Sequence, residues 1–358
     1  MPVDALVLAE GLLSNPTVPF MEDLPAAHVR AFADERGLGH STDAAGNVVV
    51  TYGSGAQGGP RNHGTPLVLV AHMDHPGFHV ADDGLVFKGG LMADNALAGS
   101  PLHFFRRGVL DPIGEGVLVS AEADANGRLV GGRADTMVGD FAMWGFPGWS
   151  ITEGTITARV CDDLLGAAAI LAVLDELASS RPSTCVWGLF TRAEEEGFLG
   201  AFEAIRLGTV PKDADVLSLE CSKALANAPQ GGGVIVRVGD RMSIFDPSLT
   251  AALEAAAASV DGLGFQRRLM DGGACEATAF CAAGFRASGL AVPLGGYHNA
   301  SDGEPGIVPE TVMVDDFLGE VQLLSALAHN PDLLRPQGEP AWYATRAAAA
   351  QRMLTEHA

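Results

Sequence analysis

Apolar residues follow a helical spacing in several long segments of the chain. Residues 1–36 carry this spacing twice, in "DALVLAEGLLS" and "LPAAHVRAFADERG". The strongest helical pattern is the alanine- and leucine-rich stretch Leu164–Ser180. Two more long helices are predicted later in the chain, one in "PSLTAALEAAAASV" and one over Val314–Asn330. A shorter helix is predicted near "GAFEAIRLG".

Short apolar runs of strand length separate these helices. The run Pro66–Asp74 is apolar on both faces, which is typical of a strand covered on both sides of a sheet. The other predicted strands are "VVVTYG", "TCVWGLFT", Asp215–Glu220 and Gly233–Gly239. Strands that alternate with helices predict an α/β fold whose mainly parallel sheet is sandwiched between helices.

The pattern changes between about Gly77 and Gly154. Here short apolar runs are separated by Gly, Asp and Pro at brief intervals, as in a small all-β barrel or sandwich. The predicted organisation is a discontinuous α/β domain formed by residues 1–78 and 156–345, interrupted by a β-barrel domain at 79–155. Residues 346–358 form a C-terminal tail with a helical pattern.

Composition limits the classes of partner. The 358 residues carry a formal net charge of −22, which argues against binding to nucleic acid or to an anionic membrane. No segment has the roughly 18–20 apolar residues of a membrane span, and the first residues lack the pattern of a signal peptide. The five cysteines show neither a disulfide framework nor paired metal-binding spacing. These features predict a cytoplasmic protein.

Polar motifs stand at the ends of the predicted strands, where ligand sites collect in open α/β sheets. His72 and Asp74 are two residues apart and leave their strand on the same side, as a metal-binding histidine and its supporting carboxylate do. Asp162 and Asp163 precede the Leu164–Ser180 helix. By itself each motif has a simpler explanation, such as a solvated strand end or a helix N-cap.

Three consecutive glutamates, Glu194–Glu196, follow a buried strand, and a bound divalent cation would relieve their repulsion. Adjacent glutamates can divide the work, because one can bind a metal while the next acts as a general base. Glu220 ends another strand, and His298 follows a glycine turn. The combined nitrogen and oxygen donors suit Zn²⁺, Co²⁺ or Mn²⁺ and are numerous enough for two ions that share a bridging carboxylate.

The order of these motifs resembles the co-catalytic dinuclear zinc aminopeptidases of the tetrahedral (TET), glutamyl or deblocking type. The family's "HMDEIGF" corresponds to "HMDHPGF" at His72–Phe78, and its "LDDRVG" to "CDDLLG" at Cys161–Gly166. Its "EEVGLRGA" corresponds to "EEEGFLGA" at Glu194–Ala201, and its "RYxHS" to "GYHNA". The β insertion is similar to the family's small dimerisation barrel.

The resemblance implies a role for each matching residue. His72 and Glu220 would bind one metal ion, Glu195 and His298 the other, and Asp162 would bridge the two. Glu194 would be the general base, and Asp74 would orient His72. Glu196 stands where the family has a hydrophobic residue and receives no role. The implied protein is a homo-oligomer that cleaves short peptides, with dimers formed through the barrel and a dodecamer as the larger assembly.

Four positions depart from the family pattern. Glu220 replaces the aspartate usual in the aminopeptidases, and glutamate is more frequent in their carboxypeptidase and deacylase relatives. Leu164 replaces an arginine, His75 replaces a glutamate, and "GGACEA" at Gly272–Ala277 replaces "GGTDA". The leading hypothesis is therefore a dinuclear aminopeptidase. A carboxypeptidase or N-acyl amino acid deacylase is the enzymatic alternative, and an inactive metal-binding scaffold is the non-enzymatic one.

Overall fold

A computed structural model of the chain describes residues 4–53, 65–93, 96–303, 305–335 and 341–356. The elements before the β insertion are α1 (Ala5–Leu13), α2 (Asp23–Arg36), β1 (Gly39–Thr42), β2 (Val48–Tyr52) and β3 (Leu67–His72). Asp4 caps α1 through its side chain, which accepts a hydrogen bond from the backbone N–H of Leu6. Every residue of β3 is buried, so the prediction of a fully covered strand is confirmed.

The β insertion forms a closed barrel, so this part of the fold prediction is also confirmed. Its strands are β4 (Gly77–Ala81), β5 (Gly84–Lys88), β6 (Pro101–Phe105), β7 (Gly114–Ala123), β8 (Leu129–Ala134) and β9 (Phe141–Trp144), paired in the order β4-β5-β8-β7-β6-β9. Phe78 lies at the centre of the barrel core, with its ring 4.9 Å from that of Phe87 and 5.1 Å from that of Trp144. The domain boundaries given above stay a prediction.

After the barrel the chain returns to the α/β part. The elements are β10 (Ser150–Thr152), β11 (Thr155–Ala158), α3 (Leu164–Ser180), β12 (Val186–Thr191), α4 (Leu199–Leu207), β13 (Asp215–Ser218), β14 (Cys221–Lys223), β15 (Val234–Asp240), α5 (Pro247–Ser259), β16 (Phe265–Met270), α6 (Glu276–Ala282), β17 (Arg286–Leu294), β18 (Glu310–Met313), α7 (Val314–His329) and α8 (Ala341–Glu356). The bounds of α3 are those that the sequence predicts. The predicted tail helix is present as α8.

Among the described residues, the main sheet has the strand order β1-β2-β12-β3-β13-β17-β15-β16, with β14 beside β17. Its centre is parallel, because β3 pairs in parallel with β12 and β13, and β13 with β17. Antiparallel pairs occur at β1–β2, β2–β12 and β15–β17. The sheet is thus mixed, with a parallel core.

Helices cover both faces of this sheet. Alternate residues of β3 point to opposite sides: Leu69 packs in the core that contains α3 and α7, whereas Val70 packs in the core that contains α4 and α6. Because β3, β12 and β13 are parallel, their carboxyl ends meet at one edge of the sheet, where the predicted polar motifs stand.

Two sequence-based exclusions can be compared with the structure. All five cysteines are free thiols. Within the described part of the chain, no helix combines the length and the apolar character needed to cross a membrane.

Candidate metal centre

The predicted ligands come from five separate segments. His72 is the last residue of β3, Glu195 follows β12, and Glu220 follows β13. Asp162 lies just before α3, and His298 lies in a short 3₁₀ turn at Tyr297–Asn299. The parallel register of β12, β3 and β13 brings the first three segments to the same edge of the sheet.

Asp162 lies between the two histidines. Its Oδ1 is 3.5 Å from Nε2 of His72, and its Oδ2 is 3.7 Å from Nε2 of His298. On the far side, Nε2 of His298 is 3.1 Å from Oε1 of Glu195. Ligand atoms of His72, Asp162 and Glu195 all lie within 4.8 Å of one another. A carboxylate that offers one oxygen to each of two histidines has the arrangement of a bridging ligand.

Glu220 contributes a further buried carboxylate. Only 7% of its surface is exposed, and its Oε1 has no hydrogen-bond partner among the described residues. Burial, reinforced by the negative charge of Asp162, raises the pKa of Glu220 to about 8, against an opposing effect of His72. Glu220 therefore shares the electrostatic environment of Asp162 and His72, although it is outside the compact group of three.

The histidine rings are oriented for metal binding. Nδ1 of His72 is 3.1 Å from the carbonyl oxygen of Asp74, and Nδ1 of His298 is 2.5 Å from the carbonyl oxygen of Gly90. A carbonyl can only accept, so each Nδ1 is the donor and each Nε2 points into the cluster of carboxylates. This use of the second ring nitrogen is usual for histidines that bind a metal.

The donor set fits a divalent cation. Buried oxygens of Asp162, Glu195 and Glu220 lack hydrogen-bond partners in the described structure. Although burial lowers the pKa of His298, the adjacent Glu195 and Asp162 raise it to about 9, which shows that this cluster strongly favours positive charge. Imidazole nitrogens and carboxylate oxygens without thiolate are suitable ligands for Zn²⁺, Co²⁺ and Mn²⁺.

Asp74 acts on the site differently from the sequence expectation. Its carboxylate Oδ1 is 3.7 Å from Nδ1 of His72, so the ring is held by the Asp74 carbonyl instead. The carboxylate accepts hydrogen bonds from the backbone N–H groups of Glu194 at 2.9 Å and Glu195 at 3.1 Å. Asp74 thus holds two segments: its carbonyl orients the His72 ring, and its carboxylate fixes the backbone at Glu194 and Glu195.

The three glutamates separate in space. Glu194 is buried, and its Oε2 is 3.9 Å from Nε2 of His72. Glu195 faces His298. Glu196, which received no role from the sequence, points to the barrel: it accepts a 3.0 Å hydrogen bond from the N–H of Gly89 and pairs with Lys88 at 3.5 Å. Glu196 therefore connects the segment Glu194–Glu196 to the end of β5.

Glu310 is a supporting residue that the sequence analysis missed. Its Oε1 accepts a 2.9 Å bond from the N–H of His298, and its Oε2 accepts bonds from the N–H groups of Cys161 at 2.7 Å and Asp162 at 3.0 Å. One buried carboxylate thereby holds two ligand segments. It also stabilises the left-handed backbone of His298, whose φ is 54°. An acidic residue within the β-branched run "ETVMV" was the available signal.

His75, a departure from the family pattern, also contacts the site. Its Nδ1 is 2.9 Å from the carbonyl oxygen of Asp162, and its Nε2 is 3.0 Å from Oδ1 of Asn299. The amide nitrogen of Asn299 donates to the carbonyl of Arg159 at 3.1 Å. His75 and Asn299 therefore connect the loop after β3 to the segments that carry Asp162 and His298.

Comparison with known proteins agrees with this geometry. The sequence model of the M42 glutamyl aminopeptidase family matches residues 133–302. No curated protein matches the chain. A TET aminopeptidase from a marine-sediment Thaumarchaeota archaeon is similar in structure, with a TM-score of 0.75 at 18% identity over 92% of this chain and 98% of that one.

Two further solved structures are similar over nearly the whole chain. An aminopeptidase of Desulfurococcus kamchatkensis has a TM-score of 0.74 at 19% identity, over 94% of this chain and 98% of that one. The TET1 peptidase of Pyrococcus horikoshii, described as assembling into a tetrahedron or a large octahedral shell, has a TM-score of 0.72 at 20% identity over 91% and 100%. The resemblance drawn from the motifs is confirmed: residues 133–302 match the M42 glutamyl aminopeptidase family, and the chain has the fold of the TET peptidases.

Proposed function

We propose that this chain is a dinuclear metal-dependent aminopeptidase that removes N-terminal residues from short peptides. The observation that carries the proposal is the position of the Asp162 carboxylate, with one oxygen toward His72 and the other toward His298. His72 and Glu220 would hold one ion, Glu195 and His298 the other, and Asp162 both. Zinc is the proposed metal, with cobalt or manganese as alternatives that suit the same donors.

The proposed chemistry is hydrolysis of a peptide bond. Two divalent ions bound there would lower the pKa of a shared water and polarise the scissile carbonyl. Glu194 would accept the proton of the attacking water at Oε2 and pass it to the departing amine. Burial raises the pKa of Glu194 well above its usual range, an effect that His72 opposes. Asp74 supports the role by fixing the Glu194 backbone.

Glu220 favours a second candidate on the same site. Because glutamate at this position is more frequent in carboxypeptidase and deacylase relatives, an N-acyl amino acid could be the substrate in place of a peptide with a free amine. Peptides with free and with acetylated N-termini separate the two candidates.

We further propose that the protein is a homo-oligomer in which the barrel joins chains into dimers, with a dodecamer as the larger assembly. The TET1 peptidase of Pyrococcus horikoshii, which forms closed shells, supports this proposal by its similar fold.

The experiment is a comparison of wild type and Glu194→Gln after loading with zinc. Wild type should hydrolyse leucine p-nitroanilide and short peptides with free amines, but not their N-acetylated forms. Glu194→Gln should retain about the wild-type zinc content and lose activity by at least about a hundredfold, because the amide cannot take up the proton.

Glu196→Gln is the matched control, since it makes the same change two residues away at a side chain that points to the barrel. It should keep nearly full activity. Activity of Glu194→Gln close to wild type would reject the proton-transfer role, and hydrolysis of the acetylated forms alone would favour the deacylase.

A further inference from the structure

Two residues that differ from the family motifs touch each other beside the candidate metal centre. His75 stands where the family motif has glutamate, and Asn299 follows the ligand His298 where the motif has serine. Nε2 of His75 is 3.0 Å from Oδ1 of Asn299, although 224 positions separate the two residues along the chain. Both side chains are buried. Two departures that meet in a buried contact indicate that each position depends on the other.

The hydrogen bonds of this pair require a donor on each nitrogen of His75. Nδ1 is 2.9 Å from the carbonyl oxygen of Asp162, which can only accept. The amide nitrogen of Asn299 donates to the carbonyl of Arg159 at 3.1 Å, so the amide oxygen is the atom that faces Nε2. His75 therefore donates on both sides, which an ionised carboxylate or an apolar ring cannot do.

The His75 ring lies against two of the proposed ligands. Besides the bond to the Asp162 carbonyl, it packs edge to face with the His298 ring, with centroids 6.3 Å apart and planes at 85°. Glu310 accepts from the N–H of Asp162 at 3.0 Å. The backbone of Asp162 is thus held at its N–H and at its carbonyl, and this fixes the direction in which its carboxylate leaves the chain.

From these contacts we infer that His75 and Asn299 are a coupled pair of positioning residues, which fixes the Asp162 carboxylate relative to His298. The inference rests on the proposed function, because it concerns the ligands of the same centre. A substitution at either position leaves a buried polar group of the other without its partner, which is unfavourable. Loss of such an outer partner of a metal ligand weakens metal binding by about 10- to 100-fold.

The pairing explains why the family's glutamate does not suit this chain by itself. An ionised glutamate at position 75 would turn acceptor oxygens toward the Asp162 carbonyl and toward Oδ1 of Asn299. A serine hydroxyl at position 299 can donate to such a carboxylate. We therefore expect His75→Glu to disrupt the contact and Asn299→Ser to restore part of it.

The test is a double-mutant cycle on zinc affinity, measured by competition with a chelator. Its members are wild type, His75→Glu, Asn299→Ser and the double variant. Each single variant should bind zinc about 10- to 100-fold more weakly than wild type. Asn299→Ser should instead strengthen zinc binding in the His75→Glu background, which gives a coupling of at least about tenfold. The φ of 59° at Asn299 suits serine less than asparagine, but this cost is common to both backgrounds and cancels in the cycle.

A second comparison uses a matched histidine in the barrel. His75→Phe keeps a ring of similar size without a donor, and it should weaken zinc binding by about 10- to 100-fold. His79→Phe is the control: Nε2 of His79 is 2.8 Å from the carbonyl oxygen of Pro19, so the change removes a histidine–carbonyl bond away from the ligands. It should leave the zinc affinity unchanged, even where it lowers the free energy of unfolding.

The visible absorption of the cobalt-loaded protein gives a readout of ligand geometry that is independent of stability. The spectrum should change in His75→Phe and match wild type in His79→Phe. Additive effects in the cycle, or wild-type zinc affinity and an unchanged cobalt spectrum in His75→Phe, would overturn the inference.

These measurements need no substrate, which separates the inference from the proposed function. A wild-type protein that binds zinc but hydrolyses no peptide would reject the proposed function, while the cycle would still decide whether His75 and Asn299 position the ligands. A wild-type protein that binds no zinc would reject both.

Discussion

Replacement of Glu310 by glutamine tests how the two ligand segments are held together. The carboxylate accepts three backbone hydrogen bonds: Oε1 from His298, and Oε2 from Cys161 and Asp162. Glutamine has one oxygen and one NH₂ group in their place. If its oxygen keeps the two bonds on the Oε2 side, the NH₂ faces the N–H of His298, and two buried donors oppose each other.

The expected cost follows from this arrangement. One charge-assisted bond is worth about 1.5–3 kcal/mol, and a buried donor without a partner costs about 1–3 kcal/mol. Glu310→Gln should therefore lower the free energy of unfolding by about 3–5 kcal/mol. Urea unfolding of the metal-free protein at pH 7 measures this change. Zinc binding should also weaken, because both His298 and Asp162 lose support.

Glu320→Gln is the control for this experiment. Glu320 is as fully buried as Glu310, but neither of its carboxylate oxygens has a hydrogen-bond partner among the described residues. The same substitution there should not lower the free energy of unfolding. If the free energy of unfolding of Glu310→Gln stays within about 1 kcal/mol of the wild-type value, Glu310 does not hold the two ligand segments together as argued.

Two other predictions concern stability. Burial raises the pKa of Glu320 to about 8, so between about pH 4.5 and 8 the native state holds a proton that the unfolded state has lost, and wild-type stability falls as pH rises. In urea unfolding, the advantage of Glu320→Gln over wild type should grow by about 1.4 kcal/mol per pH unit in this window; a difference that does not change with pH would contradict the assignment. Gly200→Ala should cost about 2–3 kcal/mol, because its Cβ would lie 2.5 Å from the carbonyl oxygen of Arg192 and 2.6 Å from Oδ1 of Asn47. At Gly197 an added Cβ has no atom within 4 Å, and only the positive φ of 99° opposes it, so Gly197→Ala should lower the free energy of unfolding by about 1 kcal/mol. A larger loss of stability for Gly197→Ala than for Gly200→Ala would refute this steric argument.

The sequence predicts the elements whose pattern is local. Helix α3 has its predicted bounds, because a long alanine- and leucine-rich segment with helical spacing favours one structure. Strand β3 is equally clear from its continuous apolar run. Strand β17 was not predicted, because Gly289 and Pro293 interrupt its apolar pattern, and its buried position between β13 and β15 depends on tertiary packing.

The candidate ligands are predictable for a related reason. Four of them stand at the end of a recognisable strand or the start of a helix, and His298 follows a glycine turn, so one motif after another indicates the site. Their supports are not local: Glu310 reaches Asp162 across 148 positions, and His75 reaches Asn299 across 224.

The most direct test of the central claim is a titration of the metal-free protein with zinc, in which bound zinc and hydrolysis of leucine p-nitroanilide are measured on the same samples. The proposed centre predicts no hydrolysis without metal and a rise to a plateau at about two ions per chain, the capacity of a bridged pair. Full activity of the metal-free protein, or zinc-loaded protein that hydrolyses neither this substrate nor short peptides, would contradict it.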